Sequence, residues 1–132
     1  MPLMDQGGRT LTIAVVEDNP RIRDLLEEEI LDEGHTVLAY ATAEAFLSSL
    51  QASQKLDLVL MDLMLPGMDG ITCLKQLRQE NTLNSAPRVF IVTALNDSEK
   101  RREALDNGAD DYVLKPDLFN RLPEILQAQL RR

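Results

Sequence analysis

Residues 56–70 read LDLVLMDLMLPGMDG. An apolar run, Leu58 to Met61, ends on one carboxylate, Asp62, and resumes with Leu63, Met64 and Leu65 before Pro66-Gly67. Short continuous apolar runs suit parallel strands that are covered on both faces. A carboxylate at the end of such a strand is costly to place unless it has a partner or a task. A second stretch, LTIAVVEDNP, behaves the same way and ends on two acids, Glu17 and Asp18. Whether these acids meet decides what the chain can do.

Working outward, strand-like runs recur at LTIAVV (11–16), TVLAY (36–40), LDLVLM (56–61), RVFIV (88–92) and DYVL (111–114). Helical patterns lie between them. Asn19 is a natural N-cap, Pro20 suits the first turn, Ile22, Leu25, Leu26 and Ile30 share a face, and Gly34 stops the helix. Thr42 caps a second helix with Ala43, Phe46, Leu47 and Leu50 inward, and Ile71, Leu74 and Leu77 stripe a third. The segment 97–107, DSEKRREALDN, offers only Ala104 and Leu105 as anchors, so it should be weakly held. Leu122, Ile125, Leu126 and Leu130 mark a last helix, with Pro123 expected in its first turn and Asn120 as its cap. Five such units predict an α/β fold, a flavodoxin-like three-layer (βα)5 sandwich with right-handed crossovers and parallel sheet order 2-1-3-4-5.

The 132 residues suffice for one domain, expected over 10–132, with 1–9 as a disordered lead-in. Hydrophobic content of 44% and charged content of 27% are those of a globular protein, and a net charge of −8 opposes direct binding to nucleic acid. No apolar run reaches the roughly 18 residues that span a bilayer, and the N-terminus lacks the pattern of a secretory signal. Cys73 is the only cysteine, which excludes an internal disulfide and reads as a small apolar residue on a packed helix. A cytoplasmic location, with no membrane partner, is the expectation.

In such a sheet, ligands bind beyond the carboxyl ends of the strands, where strands 1 and 3 part. Strand 1 ends in Glu17-Asp18, strand 3 in Asp62, strand 4 in Thr93 and strand 5 in Lys115-Pro116. The acids belong to neighbouring strands and should therefore meet. Three carboxylates repel unless a cation joins them, and magnesium accepts a few oxygen ligands while keeping water for phosphate oxygens. Lys115 suits a phosphoryl oxygen as a point charge, and Thr93 offers a hydroxyl proton. Together these groups describe a site that accepts a phosphoryl group on oxygen.

At this point the sequence resembles the receiver domain of two-component response regulators. VVEDNP, LVLMDLMLPGMDG, VTA at 92–94 and GADDYVLKP at 108–116 carry the resemblance, which covers about residues 10–131. It implies that Asp62 is the phosphoacceptor for a phosphohistidine of a sensor histidine kinase or phosphotransfer protein. Asp18, Asp62 and the backbone carbonyl of Met64 would ligate Mg2+, with Mn2+ as a substitute, and Glu17 would reach the ion through water. Lys115 would contact the phosphoryl oxygens, with a cis bond to Pro116, Thr93 would be the switch hydroxyl, and Tyr112 the aromatic that follows it. Signalling would pass through the 97–131 face to an output domain or a downstream protein. The domain would be no enzyme beyond its own phosphoryl acceptance and self-dephosphorylation. Met64 and Leu95 stand where relatives often place polar groups that handle the hydrolysing water, so self-dephosphorylation should be slow.

Three other readings compete. A haloacid-dehalogenase-like phosphohydrolase needs a second acid where Met64 stands, and a flavodoxin needs a hydroxyl-rich phosphate loop where EDNP stands. The third is a receiver-like docking module that is never phosphorylated; such modules usually lack one of the acids or the lysine. His35, in EGHTV, is expected in a loop far from the acids.

Overall fold

The computed structural model describes residues 9–80, 83 and 85–131. Ten elements alternate: β1 (Thr12–Val16), α1 (Pro20–Asp32), β2 (Thr36–Tyr40), α2 (Ala43–Ser49), β3 (Leu58–Asp62), α3 (Gly70–Glu80), β4 (Arg88–Thr93), α4 (Ser98–Asp106), β5 (Asp111–Leu114) and α5 (Lys115–Leu130). All strand pairs are parallel and the sheet order is β2-β1-β3-β4-β5, as expected. The expected lead-in falls almost wholly outside the described residues.

Strand alternation sorts the core into two layers. Ala14, Val16, Val59, Met61, Val89 and Ile91 face α2, α3 and α4, where Phe46, Ile71, Leu74 and Ala104 meet them. Ile13, Val15, Leu58, Leu60, Phe90 and Val92 face α1 and α5, against Leu26, Ile30, Leu118, Leu122, Ile125 and Leu126. The chain reverses direction along the sheet after β2, so crossovers of one hand place α1 opposite α2–α4. β3 is buried at every residue, which explains its unbroken apolar run.

Two of the three expected caps form, at Asn19 and Thr42, and Asp97 adds one that the sequence reading did not name. Asn19 Oδ1 accepts from the Arg21 and Ile22 amides at 2.9 and 3.2 Å, and Thr42 Oγ1 from the Ala45 amide at 3.0 Å. Asp97 Oδ1 caps α4, accepting from Glu99 and Lys100. The helix faces were less well read: Leu25 is exposed and Ile22 only half-buried. In α4, Ala104 alone is buried and Leu105 lies outside, so the helix is held even more lightly than expected.

The start of α5 is the main correction. The helix begins at Lys115, well before Asn120, and runs unbroken through Pro123, with Pro116 rather than Pro123 in its first turn. An interior proline costs about 3 kcal/mol, because it removes one backbone bond and crowds the carbonyl four residues back. Four buried apolar side chains on the same helix, Leu118, Leu122, Ile125 and Leu126, are each worth about 1.5–3 kcal/mol and outweigh it. Pro123 itself is exposed, so water can serve the freed carbonyl of Phe119. The expected cis bond is also absent: no described peptide bond is cis, and Lys115–Pro116 leads directly into helix.

Candidate functional site

Glu17, Asp18 and Asp62 come together at the carboxyl edge, with one oxygen from each lying within 4.8 Å of the others. Glu17 follows β1 directly and is 3% exposed, Asp62 closes β3 and is 4% exposed, and Asp18 faces solvent. Lys115, at the junction of β5 and α5, reaches across both buried acids. Its Nζ lies 2.9 Å from Glu17 Oε1 and 2.9 Å from Asp62 Oδ2. Backbone amides complete each carboxylate: Asn19 N–H donates to Glu17 Oε2 at 3.0 Å, and Met64 N–H to Asp62 Oδ1 at 3.1 Å. Arg23 on α1 donates to the Glu17 carbonyl at 2.9 Å and steadies the turn after β1.

These contacts set the charges. Burial raises the pKa of Glu17, the nearby Asp62 charge adds to this, and the Asn19 amide and Lys115 oppose it. Burial alone would lower the pKa of Lys115, but the bonds and charges of Asp62 and Glu17 outweigh burial and raise it. The lysine is therefore a firmly protonated clamp on two buried acids. The donor set fits a hard divalent cation: it offers carboxylate oxygens from adjacent strand ends and no nitrogen or sulfur, which suits magnesium or manganese rather than zinc.

Thr93 closes β4 with no exposed surface, and its Oγ1 accepts from the Leu95 amide at 3.1 Å, leaving its proton free to donate. Tyr112 on β5 is buried among the α2–α4 side chains, and its hydroxyl donates to the Leu95 carbonyl at 2.7 Å. Burial, with the charge of Asp97 behind it, raises the pKa of this phenol and keeps it a donor. Thr93 and Tyr112 therefore hold opposite sides of one residue, Leu95. The Met64 side chain is 64% exposed and Leu95 37%, and both line a cleft of about 470 Å³ with Leu63, Leu65 and Ile71. That cleft adjoins the acidic pocket but contains none of its acids.

Other residues singled out in the sequence lie apart. Cys73 is fully buried on α3, and burial pushes its thiol up to about 12. His35 is buried at the opposite edge of the sheet, where its Nδ1 accepts the Leu11 amide at 3.1 Å. Arg23 was missed, because its target is a backbone carbonyl and nothing in the local sequence marks it. No described helix is long and apolar enough to cross a membrane.

A doubly wound sheet with acids at its switch point, clamped by a lysine from the fifth strand end, defines a class of signalling module. The family model for the response regulator receiver domain matches residues 13–127, and the chain belongs to that family. It is a receiver domain of two-component response regulators. The transcriptional regulatory protein AruR of Pseudomonas aeruginosa is 39% identical over 108 residues, which cover 79% of this chain and 43% of the relative. The transcriptional regulatory protein AfsQ1 of Streptomyces coelicolor is 36% identical over 121 residues, covering 92% and 52% respectively. The chain thus spans about half the length of these relatives. Among solved structures, the BeF3-activated receiver domain of Klebsiella pneumoniae RstA aligns with a TM-score of 0.80 at 30% identity, covering 92% of this chain and 99% of that one. The BeF3-activated DrrB receiver domain gives 0.80 at 28% identity, with coverage of 94% and 100%.

Proposed function

We propose that this domain is a phosphorylation-dependent switch in which Asp62 accepts a phosphoryl group from a phosphohistidine on a histidine kinase or phosphotransfer protein. The observation that carries the proposal is the pocket itself: three clustered carboxylates, with the Lys115 ammonium 2.9 Å from two of them. A carboxylate oxygen of Asp62 attacks phosphorus, the P–N bond breaks, and the imidazole keeps the electron pair. Asp18, Asp62 and the Met64 carbonyl would hold Mg2+ or Mn2+, with Glu17 reaching the ion through water. When bound, the ion supplies positive charge against the phosphoryl oxygens. Lys115 shares that task as a point charge.

The single charge of the carboxylate becomes roughly two on the acyl phosphate. Thr93, with its hydroxyl proton uncommitted, turns toward this charge and gives up the Leu95 amide. Because Tyr112 holds the Leu95 carbonyl, the same movement disturbs its bond and reaches β5, α4 and α5. The lightly anchored α4 then changes its population of states, which a partner protein or an output domain reads over 97–131. Met64 and Leu95 offer no polar group that would activate the hydrolysing water, so self-dephosphorylation is slow.

The test is incubation with magnesium and acetyl phosphate, followed by intact mass. The proposal requires a gain of one phosphoryl group that is stable in acid, labile in base and absent from Asp62→Asn. No gain under these conditions would favour the docking module instead.

A further inference from the structure

The loop between β3 and α3, residues 63–69, carries the Met64 carbonyl that the proposed function gives to the ion. Both ends of this loop are fixed by bonds at the strand ends and the start of α3. Leu63 N–H donates to the Val92 carbonyl at 3.2 Å, Met64 N–H to Asp62 Oδ1 at 3.1 Å, and Gly70 N–H to the Leu63 carbonyl at 2.9 Å. At the far end Asp69 Oδ1 accepts the Thr72 amide at 2.8 Å, and a side chain on Gly70 would run into the Asp62 carbonyl. The middle of the loop depends on something else. Among the described residues, one side-chain hydrogen bond reaches it from another helix: Met68 N–H donates to Glu44 Oε2 at 3.0 Å.

The fit between Glu44 and the loop is close. Gly67 has φ +74°, and a Cβ there would lie 2.7 Å from Glu44 Oε2. The glycine therefore serves both the turn and the passage of the carboxylate above it. Glu44 in turn sits in the first turn of α2, between buried Ala43 and Phe46, in a helix capped by Thr42. Its anchor is a capped first helical turn, and although the bond to Met68 lies at the exposed surface, a carboxylate acceptor makes it stronger than a neutral one would be.

We propose that Glu44 is a positioning residue for the acidic pocket, its carboxylate holding the β3–α3 loop in the shape that sets the Met64 carbonyl beside Asp62. This rests on the reading of Asp18, Asp62 and Met64 as metal ligands. Glu44 touches neither ion nor phosphoryl group; it acts on the loop backbone, as outer partners of metal ligands do. It also ties α2 to the site, although α2 contributes no ligand.

The experiment is magnesium titration by calorimetry of wild type, Glu44→Ala and Glu44→Gln, paired with amide exchange over 64–68 in metal-free protein. Glu44→Ala should bind magnesium about tenfold more weakly, the lower end for such partners, and exchange Met68 faster. Glu44→Gln keeps an oxygen that accepts the same amide and should stay near wild type in both measurements. Gly67→Ala, which displaces the carboxylate, should behave like Glu44→Ala. Wild-type affinity in Glu44→Ala overturns the proposal, as does an equal loss in Glu44→Gln, which would make charge rather than the loop bond responsible. A wild type that binds magnesium not at all overturns the metal reading itself, and this inference falls with it.

Discussion

Replacing Lys115 with methionine removes the cation that faces Glu17 and Asp62 and leaves a side chain of similar length. Removing one partner of a fully buried ion pair costs about 3–5 kcal/mol. The figure here is smaller, because the Lys115 side chain is 22% exposed and each acid keeps a backbone amide. About 2 kcal/mol is the appropriate scale, which lowers the melting temperature of a domain this size by roughly 8 °C. Magnesium should reverse the loss. An ion at one hundred times its dissociation constant contributes about 2.7 kcal/mol, and in the variant it no longer competes with an ammonium for the same oxygens. Thermal denaturation with and without magnesium, on wild type and Lys115→Met, reads both effects. The magnesium-induced rise should be larger in the variant. A variant as stable as wild type without magnesium, or one that gains no more from it, would refute the claim that Lys115 and the ion address the same acids.

Three further outcomes follow from individual contacts. Amides of α4 should exchange faster than those of β1 and β3 in unphosphorylated protein, since Ala104 is the only buried residue of that helix; equal protection would remove α4 from the switch. Met64→Asn or Leu95→Glu should lose phosphate several-fold faster by bringing a polar group to the hydrolysing water, and an unchanged lifetime would detach these side chains from the slow step. Burial lowers the pKa of His35 below its ordinary value of 6.5, against the opposing charges of Glu33 and Asp57. The stability it contributes is therefore present above about pH 6.5 and is lost as pH falls through the lower folded value. Urea titrations from pH 7 to 5 should show this slope in wild type and a shallower one in His35→Gln.

Much of the architecture was legible because parallel strands covered on both faces leave a plain mark. LVLM before Asp62 and IAVV before Glu17 are apolar at every position, and β3 is indeed buried throughout. The acids could be placed together because strand order and strand ends follow from alternation of strands and helices. Errors arose where tertiary packing overrides a local rule. Pro123 reads as a helix start, yet Leu118 and Leu122 bury enough surface to carry the helix through it. Leu25 and Leu105 fit an apolar stripe but lie on its exposed margin. Other contacts left no local trace at all. Glu44 on Met68 and His35 on Leu11 each join a side chain to a backbone group 24 residues away, and no spacing in the sequence encodes that; Arg23 on Glu17 spans only six residues, but its target is a carbonyl that any residue carries. The reach of Lys115 over Glu17 as well as Asp62 likewise appears only once β5 and α5 are in place.

The claim that a phosphoryl group is carried on Asp62 is tested most directly by locating it. Protein treated with acetyl phosphate and magnesium is reduced with borohydride, which converts an aspartyl phosphate to homoserine, and its peptides are then mapped by mass. Homoserine is expected at position 62 alone, appearing only when magnesium is present. Homoserine at another acid, or an unmodified peptide 56–70 after full treatment, would contradict it.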